Sequence, residues 1–130
     1  IEEELNFEME ATSMQTIANH FTTEPQLIIP KVHEAFSSRR ILTTTWCAGV
    51  KINQTSQLAE WDLNGEEIAT RLTRIYCQMV FENGFYHADP HPGNILVQSD
   101  GTLILLDFGA AWCVPCKKEN GIAQGYPEIT

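Results

Sequence analysis

Basic residues are scarce in this chain. Only 8 lysines and arginines stand against 17 aspartates and glutamates, a formal charge of −9 over 130 residues. A surface of that sign repels phosphate backbones, which argues against nucleic acid as a partner. Long apolar runs are missing as well: none approaches the roughly 18 residues of a membrane-spanning helix, and no signal-peptide pattern opens the sequence. The 4 cysteines are too few for a dense disulfide framework, so a reducing, cytoplasmic setting is expected. Cys47 and Cys77 stand among apolar residues and read as small buried hydrophobes. What is present, 43% hydrophobic and 19% charged residues, suits one small globular domain with a modest core. The chain opens at Ile1 inside a helical pattern, so a fragment or incomplete gene product is expected.

Chemistry concentrates in the stretch from Phe85 to Gly109. Asp89 lies in a loop stiffened by Pro90 and Pro92, Asn94 follows five residues later, and Asp107 opens Asp107-Phe108-Gly109. Ile95-Leu96-Val97 and Leu103-Ile104-Leu105-Leu106 read as short strands, with Ser99-Asp100-Gly101 as the turn between them. A hairpin brings the loop before its first strand close to the residue after its second. Asp89, Asn94 and Asp107 are therefore expected to converge. Three oxygen donors so arranged suit Mg²⁺, which takes one or two carboxylates and keeps room for phosphate and water. Kinase-type phosphoryl transfer asks for this order: an Asp to orient the acceptor, an Asn on one metal, and the Asp of an Asp-Phe-Gly on the other.

Residues 2 to about 21 read as an amphipathic helix, with Leu5, Met9, Met14, Ile17, Ala18 and Phe21 at helical spacing. Glu10 falls on the same stripe and needs a partner or a wet edge. It is either the helix glutamate that pairs with the ATP-binding lysine in kinases, or a boundary residue facing solvent. Residues 26–29 and 40–45 read as strands rich in β-branched side chains. Residues 65 to about 83 form the clearest helix. Asn64 and Glu67 make an approximate capping box, Ile68, Leu72, Ile75, Met79 and Val80 a buried face, and Gly84 a stop. His87 reads as a packed histidine bracing the loop. His91 either touches phosphate or packs.

His87-Ala88-Asp89-Pro90-His91-Pro92-Gly93-Asn94-Ile95-Leu96-Val97, followed by Leu105-Leu106-Asp107-Phe108-Gly109, resembles the UbiB-type atypical kinases, the activator-of-bc-one-complex group. Residues 29–32, 39–43 and 49–52 match that family's order of segments, so the likeness covers roughly residues 2–110. The resemblance implies an α+β, protein-kinase-like fold: part of a small sheet-bearing lobe, a hinge near residues 46–50, and the start of a helical lobe. It implies ATP and Mg²⁺ as cofactors. Asp89 would orient the attacking hydroxyl or water, Asn94 and Asp107 would hold Mg²⁺, and Glu10 would pair with a lysine. Backbone groups of Trp46 and Cys47 would meet the adenine edge, and Gly49 would let the chain turn there. The family also implies a link to ubiquinone or isoprenoid-lipid metabolism, pathway proteins as partners, and work in a bacterial cytoplasm near a membrane surface. One position departs. The family's Glu-x-Asp reads Glu4-Leu5-Asn6 here, which keeps the shape and loses the charge. The family's ATP-anchoring lysine has no counterpart in these residues, so the fragment alone is expected to be inactive.

Other readings stand beside this one. A non-catalytic, pseudokinase-like module that binds nucleotide is the runner-up. His87-x3-His91 with Cys113-x2-Cys116 is a formal zinc set, but the histidines flank Pro90 in a loop and the finger-like order is reversed. Trp112-Cys113-Val114-Pro115-Cys116-Lys117 resembles the thioredoxin active-site segment, so Cys113 and Cys116 are candidate redox thiols. That likeness spans about a dozen residues. The expected division is a kinase-like domain over 1–111 and a continuation or divergent tail over 112–130.

Overall fold

The computed structural model describes residues 7–85 and 91–106. Helix α1 runs Phe7–His20; residues 2–6 of the expected helix lie outside the described residues. Met14 and Ile17 on its inner face are buried, as is Phe21 just beyond its end. The chain then crosses strand β1 (Leu27–Ile28), a 3-10 turn (Glu34–Phe36), strand β2 (Val50–Lys51) and a short helix α2 (Thr55–Glu60). Helix α3 (Gly65–Gln78) continues directly as a π turn, Met79–Asn83. A second 3-10 turn (Pro92–Asn94) leads into strands β3 (Ile95–Val97) and β4 (Leu103–Leu105).

These elements make a mixed α+β fold around one four-stranded sheet, ordered β1-β4-β3-β2. The β3–β4 pair is antiparallel with Leu96 opposite Ile104, β2 adds antiparallel to β3, and β1 joins the far edge parallel to β4. Strand alternation sends Leu103 and Leu105 toward the helices, where they meet Ile17, Ile75 and Met79 in one cluster. Ile104 points the other way and is equally covered, at 0% exposure. Burying a Leu or Ile of this kind stabilises by about 1.5–3 kcal/mol, so β4 is the strongest single contributor to the sheet.

Helix α3 starts as its sequence indicates, with one difference. The Asn64 side chain accepts from the Glu66 amide at 2.9 Å, one position short of the expected box partner, and Glu67 is exposed. Its end follows the reading: Gly84 takes φ 63°, the left-handed cap that glycine adopts without strain, and the Phe85 amide closes back on the Met79 carbonyl at 3.1 Å. Two expectations need correction. Residues 40–45 form no strand, only isolated bridges of Thr44 to Val32 and Ile41 to Ser38. Cys77 is exposed rather than buried, because the inward face of α3 is set by Ile68, Ile75 and Met79. Among the described residues no helix is long and apolar enough to cross a membrane.

Candidate functional site

The site is built on the β3–β4 hairpin, and its turn is held from three directions. Gly101 adopts φ 85°, a conformation that costs other residues strain. The Asp100 carboxylate accepts the Thr102 amide at 2.9 Å. That bond, with a smaller contribution from the Arg71 charge, holds the Asp100 carboxyl below its usual range. Arg71 reaches from α3 and donates to the Gly101 carbonyl, tying the helix to the turn. With the turn fixed, the register is fixed: Ile95 faces Leu105 and Val97 faces Leu103.

Beyond the ladder's open end the pairing extends by one bond. The Leu106 amide donates to the Asn94 carbonyl at 2.8 Å. Asn94 is thus set opposite Leu106, the residue immediately before Asp107. The half-buried Asn94 closes the 3-10 turn that begins after His91. Its amide donates to the His91 carbonyl at 2.8 Å, and the Gly93 amide donates to His91 Nδ1 at 3.0 Å. The sequence reading missed this role for His91. The available signal was an acceptor side chain directly before Pro-Gly, the pattern of an N-cap followed by proline at the first helical position.

The proposed adenine segment runs past the other end of β3. Val50 and Lys51 pair with Val97 and Leu96, and the Ala48 carbonyl accepts the Gln98 side chain at 3.2 Å. Trp46 is 89% exposed. Cys47 is half-buried, its thiol directed to the Thr45 carbonyl at 3.7 Å, and burial pushes that thiol's pKa up. Gly49 serves close approach rather than a turn. A Cβ there would stand 3.1 Å from Leu96 Cβ and from the Val97 carbonyl, so glycine is what lets this segment lie flat on the hairpin and cover Ile104.

Glu10 is half-buried in the first turns of α1, in line with Met14 and Ile17 at the rim of the core. At the opposite end of the same helix, His20 lies edge-on to Phe85, with ring centroids 6.5 Å apart and planes at 73°. Burial lowers the His20 pKa. The Glu24–Arg74 ion pair at 2.8 Å adds a second tie between the end of α1 and α3. The helix that carries Glu10 is therefore braced against Phe85, four residues before Asp89 in the sequence.

Asp89 and Asp107 lie outside the described residues, as do His87, Cys113 and Cys116. The described structure thus places Asn94, Glu10, Trp46 and Cys47, and brings Asn94 beside the strand end that precedes Asp107. Among the described residues no group of three or more His, Cys, Asp or Glu side chains could hold a metal ion.

Comparison with known proteins agrees with this architecture. A family model described as the ABC1 atypical kinase-like domain matches residues 1–126, a span that runs through both Cys113 and Cys116. A probable serine/threonine-protein kinase, abkD, from Dictyostelium discoideum is 35% identical over 112 residues, covering 82% of this chain and 16% of its own. The chloroplastic protein Activity of bc1 complex kinase 3 from Arabidopsis thaliana is 32% identical over 107 residues, covering 82% of this chain and 15% of its own. This chain therefore spans about a sixth of the length of those relatives. A solved structure, that of Rv3197 with erythromycin from Mycobacterium tuberculosis, shares the fold. Its TM-score is 0.67 at 22% identity, over 99% of this chain and 38% of that one.

Proposed function

This chain belongs to the ABC1 atypical kinase-like family, and from that premise we propose that it carries the Mg²⁺–nucleotide site of an ATP-dependent phosphoryl transfer. The observation that carries the reading is the bond from the Leu106 amide to the Asn94 carbonyl. It sets the Asn of the Asp-x4-Asn motif across from the residue before the Asp of Asp-Phe-Gly, the juxtaposition that metal-assisted phosphoryl transfer needs. The donor chemistry fits: an amide oxygen and a carboxylate are hard ligands of the kind Mg²⁺ selects. Bound Mg²⁺ would neutralise charge on the phosphate oxygens.

The residues divide the remaining work. Asp89 accepts the proton of the attacking hydroxyl or water and aims it. Asn94 and Asp107 hold the metal. Glu10, at the rim of the core on α1, orients an ATP-anchoring lysine. Residues 46–49, lying along the far end of β3, offer backbone groups to the adenine edge. By the same family reading, the reaction, phosphoryl transfer or ATP hydrolysis, is linked to isoprenoid-lipid or ubiquinone metabolism.

Isothermal titration with an ATP analogue, with and without Mg²⁺, tests the assignment. Mg²⁺-dependent binding is expected in the wild-type chain and is lost in Asp107→Asn. Equal binding by the two proteins overturns it.

A further inference from the structure

We propose that His91 is the positioning residue for Asn94, a structural latch whose acceptor nitrogen sets where the metal-holding side chain sits. The inference rests on the reading of Asn94 given above. Three hydrogen bonds form one connected path. The Gly93 amide donates to His91 Nδ1 at 3.0 Å, the Asn94 amide donates to the His91 carbonyl at 2.8 Å, and the Leu106 amide donates to the Asn94 carbonyl at 2.8 Å. The first closes the turn from the side-chain side, the second from the backbone side, and the third anchors its last residue to the end of the sheet. Pro92 has no amide hydrogen to offer. Gly93 is thus the first donor inside the turn, and the imidazole is its acceptor.

The bond dictates the chemistry of the ring. Nδ1 can accept only when it carries no proton, so the neutral ring is the Nε2–H tautomer. The contact is also tight enough to explain the glycine. A Cβ on residue 93 would stand 3.0 Å from His91 Nδ1 and 3.5 Å from Cε1, so alanine there makes the ring give way and strains its bond to the Gly93 amide. His91 is exposed, so its presence in this turn is not explained by core packing. A short side chain with an acceptor oxygen, Asn or Asp, can cap the same turn, whereas Ala cannot.

The test combines two measurements on the 130-residue chain. Nitrogen-15 NMR of the histidine rings reads the latch without any ligand. His91 is expected with an unprotonated Nδ1 and with slow hydrogen exchange at the Gly93 amide, which becomes fast in His91→Ala. A protonated Nδ1 in the neutral ring overturns the proposal directly. Titration with Mn²⁺ and ADP, following free Mn²⁺ by electron paramagnetic resonance, then reads the consequence. His91→Ala is expected to weaken Mn²⁺–ADP binding about tenfold, the scale of a lost helix cap. His91→Asn restores it to within about twofold. Gly93→Ala weakens binding in the wild-type background and adds little in His91→Ala, since both act through the same contact.

Equal affinity in wild type and His91→Ala, with binding lost in Asn94→Ala, overturns the latch and leaves the metal assignment standing. Unchanged binding in Asn94→Ala removes the metal assignment, and the latch falls with it.

Discussion

Two segments of this molecule carry β-forming residues and meet different fates. In the β3–β4 hairpin the ladder is continuous, and Val97, Leu103, Ile104 and Leu105 are all 0% exposed. In the segment from Val32 to Thr45 the pairing is reduced to two isolated bridges, although Thr43, Thr44 and Thr45 all have branched side chains. What differs is burial and competition. Helices cover one face of the hairpin and the Gly49 segment covers part of the other, so each ladder bond is made in a dry environment. Ile41 is 60% exposed, and side-chain oxygens intercept the backbone around it. The Thr43 amide donates to Ser37 Oγ at 2.9 Å, and the Thr43 hydroxyl donates to the Phe36 carbonyl at 2.7 Å. Strand propensity is therefore realised only where apolar surface is buried on the pleat. Elsewhere local hydroxyl bonds win.

The sharpest way to break this contrast is to excavate the buried side of it. Leu105→Ala removes a fully buried side chain from the centre of the core and is expected to lower stability by about 2–5 kcal/mol. Ile41→Ala, its exposed counterpart, is expected to change stability by less than about 0.5 kcal/mol. Urea denaturation of the two variants checks the difference, and similar midpoints would refute it.

A smaller effect is expected from the hydroxyl network. Ser37→Ala leaves the half-buried Thr43 amide without its acceptor and is expected to cost about 1 kcal/mol. The damage should be local. Amide exchange should accelerate at Thr43 and stay unchanged at Leu103 through Leu105, whereas acceleration in both segments would mean that they unfold as one unit.

The smallest effect concerns the hairpin turn. The Asp100 carboxyl is held below its usual range chiefly by the Thr102 amide. A depressed folded-state pKa contributes stability that is present above the ordinary carboxylate range. That contribution is lost as pH falls through the lowered value. Asp100→Ala should therefore flatten the acid limb of the thermal-stability profile and leave its slope near neutrality unchanged. An acid limb identical to wild type would show that the turn is held by Gly101 and Arg71 alone.

The frame of the candidate site was legible in the residues. The Asp-x4-Asn spacing, two apolar triplets and a Ser-Asp-Gly turn are local signals, and they led to a hairpin whose described strands agree with that reading. The helix over 65–83 was legible for the same reason, since its period, cap and terminal glycine all lie within one stretch of chain. Three features depended on neighbours distant in sequence and so escaped. Gly49 looked like a turn residue, yet its use is a close approach to Leu96 and Val97. Arg71 carried no signal in the sequence, yet it donates to a carbonyl 30 residues away. Cys77 looked buried by its company, yet helical phase turns it outward.

By itself, then, the sequence determined the family, the helical and hairpin segments, and the residue spacing on which the proposed Mg²⁺–nucleotide site rests. These are encoded in short-range spacing, where period and turn chemistry act within a few residues. Only the tertiary structure decided that β1 joins β4 in parallel across more than 70 residues of chain. It alone left residues 40–45 without a ladder and set the Asn94 carbonyl against the Leu106 amide. Each of those outcomes is settled by which backbone groups can reach a partner once the core has closed. A buried amide takes whatever acceptor the packing brings within about 3 Å.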